Sequence, residues 1–335
     1  PLICIGGGVF AAHAENEIRE LADLMQIPVI TTMMGISVFP DDDQLFCGMI
    51  GTHGVKMANA AVNECDVLFL VGARVGDRAV KTPLALEKTT KIIHIDIDPA
   101  EIGKNIGADL PLVGDAKLVL QQMTELAKPM KHDEWIAHIK TLGGERKYVE
   151  PAKGTVNPRV FIDRLAKKMP ANVTVVADVG QNQIWTCTEY KFRKEGRLLT
   201  SGGMGTMGYS VPAAIGAKMA DNSRATVAIC GDGAFQMSFM ELATAVQFGV
   251  DIKVVVMTNN RLGMVRELQT NGYHDRQTAV FLDGSPDFIK LAEAYGIPAM
   301  RVYDDDTMDK GIEMLAEHKG ICLVEVVVDK DMPTL

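Results

Sequence analysis

The stretch GDGAFQMSFMELATAVQFGVDIKVVVMTNN, residues 231–260, decides the fold of this chain. It predicts the end of a strand before Gly231, a tight turn, a helix that begins near Ala234, and a second strand that ends just before Asn259. A strand, a helix and a strand in this order are the repeating unit of a parallel, doubly wound sheet. The two strands of such a unit end at the same edge of the sheet.

Two polar residues are predicted at that edge: Asp232 follows the first strand, and Asn259 follows the second, 27 positions later. A carboxylate and an amide oxygen there suit a hard cation that holds a diphosphate. Gly231 and Gly233 would let the backbone approach phosphate oxygens, and the helix near Ala234 would direct N–H groups at them. The tripeptide alone is equally compatible with an ordinary Asp-Gly turn. The downstream Asn and the two strands favour a metal–diphosphate site.

Composition limits the class of protein. The length of 335 residues indicates two domains, and 47% hydrophobic with 6% aromatic residues is typical of a soluble α/β enzyme. The net charge of −9 and the lack of a basic stripe argue against nucleic acid as a partner. No apolar run approaches the roughly 20 residues of a transmembrane helix. Since no secretory leader precedes the first strand, we predict a cytoplasmic protein with no membrane partner.

The cysteines form no C-x-x-C pair, and several lie in apolar, strand-like runs. This spacing argues against a metal site and predicts buried free thiols. The six positions are Cys4, Cys47, Cys65, Cys187, Cys230 and Cys322.

Short apolar strands alternate with helical patterns along the chain, which predicts an α/β fold with two doubly wound parallel sheets. The pattern gives way to Lys, Glu, Gly and Pro around Trp135, which we place on a short helix. We therefore predict two domains, residues 1–127 and 158–335, joined by a linker of residues 128–157. The predicted strands are Leu2–Ile5, Pro28–Thr32, Val67–Val71, Lys91–Ile97, Val173–Ala177, Ala225–Ile229, Lys253–Thr258 and Cys322–Val328.

The Asp232 and Asn259 pattern resembles the thiamine diphosphate-binding motif of the pyruvate decarboxylase and acetolactate synthase superfamily. The resemblance implies a magnesium ion held by Asp232, Asn259 and the carbonyl of Arg261, and bridged to the cofactor's diphosphate. Thr258 stands where the family usually has Asn, but the metal-binding Asn itself is present.

Further motifs of the second domain follow the same family. VGQNQ, residues 179–183, looks like its VGQHQ; SGGMGTMGYSVPAAI, residues 201–215, is similar to its SGGLGTMGYGLPAAI; and GMV, residues 263–265, matches its GMV. The resemblance implies that Met207 supports the cofactor in a bent shape and that Met264 lies against it. The implied thiamine diphosphate contacts are Gln181, Asn182, Gly205, Met207, Gly231, Asp232, Gly233, Ala234, Asn259, Gly263 and Met264.

The turns of the first domain resemble the central domain of the FAD-containing acetolactate synthases. GARVGDR, residues 72–78, is similar to the family's GARFDDR, with Val75 and Gly76 as departures, and HIDIDPAEIGK, residues 94–104, matches in full. The resemblance implies a Rossmann-like domain whose FAD is structural, although each glycine turn taken singly is explained by the shape of a βα connection. The implied FAD contacts are Gly6, Gly7, Gly8, Thr32, Met33, Met34, Thr52, His53, Gly54, Gly72, Arg74, Asp77, Asp96, Ile97, Gly114 and Asp115.

Taken together, these motifs imply the catalytic subunit of acetolactate synthase, a transferase of branched-chain amino acid biosynthesis. Pyruvate would be decarboxylated and its two-carbon unit condensed with a second 2-oxoacid. The implied catalytic residues are Met207, Met264 and Arg78. Of these, Arg78 would help place the acceptor substrate. Leu268 stands where the family has a Trp that favours 2-oxobutyrate and helps bind sulfonylurea-type inhibitors. We therefore expect pyruvate to be the preferred acceptor and those inhibitors to bind weakly.

The family also has an N-terminal domain whose Glu activates the cofactor, and the chain opens at Pro1 inside the first strand of the flavin domain. We therefore expect a fragment of a longer subunit, inactive alone, that works as a homodimer or tetramer, with a small regulatory subunit as a further possible partner. Two alternatives stay open. One is another thiamine diphosphate-dependent carboligase or decarboxylase, and the other is a cofactor-binding module without activity.

Overall fold

The computed structural model describes residues 1–80, 83–144 and 148–335. It divides the chain into two compact units, Pro1–Arg146 and Lys147–Leu335. Each unit contains one six-stranded sheet in which all pairings are parallel, so the predicted α/β class with two doubly wound sheets is confirmed. Among the described residues, no helix combines the length and the apolarity needed to cross a membrane.

The first unit follows the order strand, helix, strand from its first residues. Its strands are β1 Leu2–Ile5, β2 Val29–Thr31, β3 Phe46–Met49, β4 Val67–Val71, β5 Lys91–Asp96 and β6 Leu110–Val113. Its helices are α1 Gly8–Ala11, α2 Glu15–Met25, α3 Lys56–Glu64, α4 Pro83–Leu86, α5 Ala116–Leu126 and α6 Asp133–Leu142, with a 3-10 turn at Met33–Gly35.

The sheet of the first unit has the strand order β3-β2-β1-β4-β5-β6. The order reverses between β1 and β4, and a doubly wound sheet opens a crevice at such a point, beyond the carboxyl ends of its strands. Apolar side chains on both faces of the sheet form two buried clusters, which contain Leu2 and Cys4 on one face and Ile3 and Ile5 on the other. The inner strands β1, β2 and β4 are therefore buried on both faces, as their nearly continuous apolar runs predict.

Helix α6 lies within the predicted linker, residues 128–157, and carries Trp135 as expected. It packs against α3, with Ile139 fully buried, and the Trp135 Nε1 donates a hydrogen bond of 2.8 Å to the carbonyl oxygen of Pro1. This helix is thus part of the first compact unit. Residues 145–147 of the predicted linker lie outside the described residues, and the boundaries at 127 and 158 stay predictions.

The second unit has the same alternation of strands and helices. Its strands are β7 Thr174–Ala177, β8 Arg197–Thr200, β9 Thr226–Gly231, β10 Lys253–Thr258, β11 Ala299–Val302 and β12 Cys322–Val327. Its helices are α7 Pro158–Lys168, α8 Gln181–Glu189, α9 Ser210–Ala220, α10 Asp232–Phe235, α11 Leu242–Gln247, α12 Gly263–Gly272, α13 Phe288–Ala294 and α14 Asp305–Glu317, with a 3-10 turn at Phe239–Glu241.

The sheet of the second unit has the order β11-β12-β10-β9-β7-β8. Its direction of winding reverses between β7 and β9, so their carboxyl ends are the expected ligand position. The single helix predicted to begin near Ala234 is wrong in its extent. It is broken into α10, the 3-10 turn and α11, because Ser238 has a non-helical backbone (φ −142°, ψ 8°).

All six cysteines are buried and none is in a disulfide, as predicted. Burial raises the pKa of the Cys4 thiol to about 12 and that of the Cys47 thiol to about 11. These thiols therefore behave as small apolar core residues.

A buried ion pair joins α7 to α8. The Arg159 Nε and Nη2 donate to the Glu189 Oε1 at 2.8 and 2.6 Å, and the Tyr148 hydroxyl donates to Oε2 at 3.2 Å. Glu189 is only 2% exposed, so loss of one partner would leave a charge without compensation in a poorly solvated place.

We expect Glu189→Ala to lower the free energy of unfolding by about 3–5 kcal/mol, because the Arg159 guanidinium, only 14% exposed, would lose its carboxylate partner. The matched control is Glu317→Ala, which removes an exposed pair with Lys168 and should cost less than about 1 kcal/mol. Urea unfolding should be followed by Trp185 fluorescence in a Trp135→Phe background. Equal, small losses in both variants would contradict the buried-pair argument.

Candidate functional site

A cleft of about 560 Å³ lies at the carboxyl ends of β7, β9 and β10, where the second sheet reverses its direction of winding. It contains nearly all the residues of the second unit that the sequence predicted to bind a cofactor. Its lining is Val179, Gly180, Gln181, Asn182, Trp185, Met207, Gly231, Asp232, Gly233, Ala234, Met257, Asn259, Arg261, Leu262, Gly263, Met264 and Val265. Of the predicted contacts, Gly205 does not line the cleft; it lies in an exposed turn with φ +65°.

Asp232 is the charged centre of the cleft and is 1% exposed. Its Oδ1 accepts from the backbone N–H of Gly233 at 2.8 Å, and its Oδ2 accepts from those of Asn259 and Asn260 at 3.1 and 2.6 Å. One carboxylate thus ties the turn after β9 to the end of β10. Burial raises its pKa from 3.8 to about 6, although the backbone hydrogen bonds oppose this rise.

Asn259 and Arg261 lie beside this carboxylate. The Asn259 Oδ1 accepts from the backbone N–H of Arg261 at 3.1 Å, which makes a compact turn. The Arg261 guanidinium points away, to Asp283 at 2.8 Å and over the ring of Phe281 at 4.6 Å. The backbone of Arg261 is therefore held near Asp232, while its positive charge is neutralised elsewhere.

These groups fit a hard cation. All three donors to Asp232 are neutral backbone N–H groups, so they leave its negative charge uncompensated, and carboxylate, amide and carbonyl oxygens are what magnesium prefers. Within the described residues there is no group of three or more His, Cys, Asp or Glu side chains able to hold a metal. A cation at Asp232 would therefore need further oxygen ligands, as a bound diphosphate supplies.

Gln181 and Asn182 line the cleft, but their side-chain amides bond to the protein. The Gln181 Nε2 donates to the carbonyl oxygen of Met332 at 2.9 Å and to the Thr334 Oγ1 at 3.2 Å, and its Oε1 accepts from the Asn259 Nδ2 at 3.2 Å. The Asn182 Nδ2 donates to the carbonyl oxygens of Asp178 and Ile229 at 2.7 and 3.2 Å. Both side chains therefore hold the walls of the cleft together.

The apolar side of the cleft is built around Gly233 and Gly263. A Cβ at Gly233 would lie 2.7 Å from a methyl carbon of Leu262 and 3.3 Å from the Met207 Cε. A Cβ at Gly263 would lie 1.9 Å from the Gln181 Oε1, so any side chain there would displace that amide. Met207 and the half-buried Met264 thus provide apolar surface next to the Asp232 turn.

The residues predicted to contact FAD lie beyond the carboxyl ends of all six strands of the first sheet, and so does Arg78. The turn after β1 has Gly6–Gly8, that after β2 has Thr32–Met34, and that after β3 has Thr52–Gly54; Gly72, Arg74, Asp77 and Arg78 follow β4, Asp96 and Ile97 end β5, and Gly114 and Asp115 follow β6. Arg74, Asp77, Arg78 and Ile97 are exposed, whereas Asp115 caps α5 by accepting from the Leu118 N–H at 3.2 Å.

The glycines of this first set have a structural reason of their own. A Cβ at Gly6 would lie 2.1 Å from the carbonyl oxygen of Gly72, and a Cβ at Gly8 would lie 2.7 Å from the Gly72 Cα. Gly72 itself has φ +55°. The turns after β1 and β4 therefore pack backbone against backbone, and side chains would separate them.

Asp178 was not predicted from the sequence; it directly follows β7 and has no exposed surface. Its carboxylate accepts from the backbone N–H groups of Gly208 and Ser210 at 3.0 and 2.7 Å. The signal was an acidic residue at the end of the apolar run Val173–Ala177, the same type of position that drew attention to Asp232.

We expect the contribution of Asp232 to the stability of the metal-free protein to become more favourable as the pH falls from 7 to 4. The folded state binds this proton more tightly than the unfolded state, so the cost of the buried charge is present above about pH 6 and disappears towards the usual pKa of 3.8. Unfolding should be compared in wild type and Asp232→Asn, again by Trp185 fluorescence. As the pH falls, the free energy of unfolding of wild type should rise relative to that of the variant by up to about 3 kcal/mol. A difference between the two proteins that does not change with pH would contradict the raised pKa.

Comparison with known proteins agrees with this geometry. Residues 178–326 match the family model "Thiamine pyrophosphate enzyme, C-terminal TPP binding domain", and residues 1–123 match "Thiamine pyrophosphate enzyme, central domain". The first of these ranges contains the whole cleft, and the second contains every strand-end turn of the first sheet.

Three curated relatives are similar over nearly the whole chain. The probable acetolactate synthase large subunit of Methanocaldococcus jannaschii is 40% identical over 340 residues, which cover 98% of this chain and 57% of that protein. The acetolactate synthase of Arthrospira platensis is 39% identical over 346 residues, with 99% and 59% covered. The acetolactate synthase large subunit of Lactococcus lactis subsp. lactis is 36% identical over 332 residues, with 98% and 58% covered. The chain thus spans less than three fifths of the length of these relatives, and it belongs to the thiamine pyrophosphate enzymes as a homologue of acetolactate synthase large subunits.

Proposed function

We propose that this chain is the cofactor-binding part of an acetolactate synthase catalytic subunit in branched-chain amino acid biosynthesis. The observation that carries the proposal is the Asp232 carboxylate, buried at a cleft of about 560 Å³ and bonded to backbone N–H groups alone within the part of the chain described. A buried carboxylate with no cationic partner is costly unless an ion neutralises it. A magnesium ion that also binds a diphosphate would remove this cost.

Asp232, Asn259 and the carbonyl of Arg261 would hold this magnesium ion. Gly231, Gly233 and Ala234 line the cleft and would lie next to the diphosphate, because the Gly positions leave the backbone uncovered on the cleft side. The oxygen donors present here are those that magnesium prefers. Thiamine diphosphate, when bound, supplies the nucleophilic carbon and the electron sink for decarboxylation of a 2-oxoacid.

The remaining residues of the cleft would orient the reactants and exclude water. Met207 and Met264 provide apolar walls next to the Asp232 turn, and these walls would exclude water from the reacting atoms. Gln181 would hold the Asn259 amide, because its Oε1 accepts from the Asn259 Nδ2 at 3.2 Å and so leaves the Asn259 Oδ1 as the metal-facing atom.

We further propose that FAD lies across the strand-end turns of the first unit, with a structural role. Support comes from the exposed Arg74, Asp77 and Ile97, since the close packing of Gly6 and Gly8 on Gly72 explains those glycines without a ligand. Arg78 would help to place the acceptor substrate.

The proposed setting is a cytoplasmic homodimer or tetramer, with a small regulatory subunit as a further partner. The two family models that match are a central and a C-terminal domain. Since the proposed activating Glu belongs to neither, we propose that the 335 residues are inactive alone.

We expect Asp232→Ala to abolish magnesium-dependent binding of thiamine diphosphate, because an amide and a carbonyl cannot neutralise the ion. Calorimetric titration of the complete protein with the cofactor, with and without magnesium, measures this. The matched control is Asp309→Ala, an exposed carboxylate of α14 paired with Arg164, which should bind as wild type does. An unchanged affinity in Asp232→Ala would remove the metal assignment.

We expect the complete enzyme to convert pyruvate into acetolactate and, with both oxoacids present, to prefer pyruvate over 2-oxobutyrate as acceptor. Leu268→Trp should shift the product ratio towards 2-oxobutyrate by roughly tenfold, since it adds apolar contact surface on α12. Chromatographic product analysis measures both. Tyr273→Trp, at the end of the same helix, is the matched control and should leave the ratio unchanged.

Results other than acetolactate formation with a preference for pyruvate would support different conclusions. Acetaldehyde as the main product would indicate a decarboxylase. Cofactor binding without turnover in the complete protein would indicate a binding module. Equal use of both oxoacids by the wild type, or tight inhibition by sulfonylurea-type compounds, would contradict the role given to Leu268.

A further inference from the structure

Asp178 is a second buried carboxylate at the cleft end of the second sheet. It follows β7, and its backbone N–H donates to the carbonyl oxygen of Ile229 at 2.8 Å, so it lies where β7 and β9 diverge. Its Oδ1 accepts from the N–H groups of Val179 and Gly208 at 2.9 and 3.0 Å, and its Oδ2 accepts from that of Ser210 at 2.7 Å. The side chain thus joins two segments that are about 30 residues apart in the chain.

The charge of Asp178 is stabilised by backbone dipoles. Ser210 is the first residue of α9, a helix of 11 residues, and the positive end of its dipole faces the carboxylate. Asp178 thus caps α9 although it lies at the end of β7, far from the helix in the sequence. An amide or an alkyl group could not replace it, since each of the three donors needs an acceptor.

These hydrogen bonds fix the turn that carries Met207. Gly208 has φ +83°, and a Cβ there would lie 2.9 Å from the Met237 Cβ, so Met237 confines the turn from the other side. The tip of Met207 reaches the turn at Gly233, where a Cβ would lie 3.3 Å from the Met207 Cε. The hydrogen bonds from Gly208 and Ser210 to Asp178 therefore set the position of Met207 over the cleft.

Asp178 also orders the opposite wall of the cleft through its backbone. Its carbonyl oxygen accepts from the Asn182 Nδ2 at 2.7 Å, and this bond holds the turn at Gly180, which has φ +146°. This bond involves none of the proposed metal ligands Asp232, Asn259 and Arg261. Asp178 thus acts on the cleft wall and is separate from the proposed metal and diphosphate anchor.

We propose that Asp178 is the positioning residue for Met207, and that it determines how well the cleft holds the organic rings of the cofactor without affecting the diphosphate anchor. The proposal rests on the proposed function, in which Met207 supports those rings. It predicts that loss of the carboxylate discriminates between two ligands that share the diphosphate and differ in the rings.

The test uses the complete protein and two probes, magnesium thiamine diphosphate and magnesium pyrophosphate, titrated by calorimetry. Asp178→Asn keeps the shape but turns an NH₂ group towards a backbone N–H, so the turn at Gly208 should shift. We expect thiamine diphosphate to bind about tenfold or more weakly and pyrophosphate to bind within about twofold of wild type. Met207→Ala should give the same selective loss, and the double variant should lose little more than either single variant.

The outcomes separate the two proposals. Equal loss of both probes in Asp178→Asn, or a fully additive double variant, would overturn the positioning role and leave a general structural one. A wild type that binds neither probe would overturn the proposed function itself. If Asp178→Asn does not fold, amide exchange in wild type decides: thiamine diphosphate, but not pyrophosphate, should slow exchange at Gly208 and Ser210. Equal slowing by both probes, or by neither, would overturn the proposal.

Discussion

The hydrogen bonds of the Asp232 carboxylate are the constraint on which the cleft depends. They connect the turn after β9 to the first residues after β10, so the two strand ends that carry all three proposed metal ligands are held together. Burial of this carboxylate raises its pKa to about 6, and the backbone hydrogen bonds offset only part of the rise. A buried carboxylate of this kind lowers the stability of the protein when no cation is bound and prepares the site for a cation, as is common where a site is organised before its ligand arrives.

The eight strands that the sequence predicted are the eight interior strands of the two sheets, and the four that it missed are the four edges. Interior strands such as β4 and β10 are covered on both faces, so they read as continuous apolar runs. The edge strands do not: β6 contains Pro111 and is largely exposed, and β8 and β11 contain Arg197 and Arg301. Their pairing is decided by the neighbouring strand and leaves little pattern in their own residues.

The site, like the fold, was predictable from the sequence only in part. Residues at strand ends, such as Asp232 and Asn259, could be placed because the ends of parallel strands meet at one edge. The hydrogen-bond partners of other side chains around the cleft could not be predicted, because they come from distant positions in the chain. Gln181 bonds to Met332, 151 positions away, and Asp178 bonds to a turn 30 positions away. Neither distance is set by the period of a strand or a helix, and only the folded chain brings these groups together.

The interlocked turns of the first unit bear on how such chains should be compared. Gly6, Gly8 and Gly72 are required by each other's backbone, so any descendant that keeps this sheet must keep them, whether or not a flavin is present. A glycine signature of this kind therefore traces ancestry of the sheet. Loss of the ligand would first be visible at the exposed Arg74, Asp77 and Ile97, which are free to drift once nothing binds there. After loss of the cofactor, substitutions would then be found at the charged and apolar positions beside the glycines, while the glycines themselves stayed unchanged.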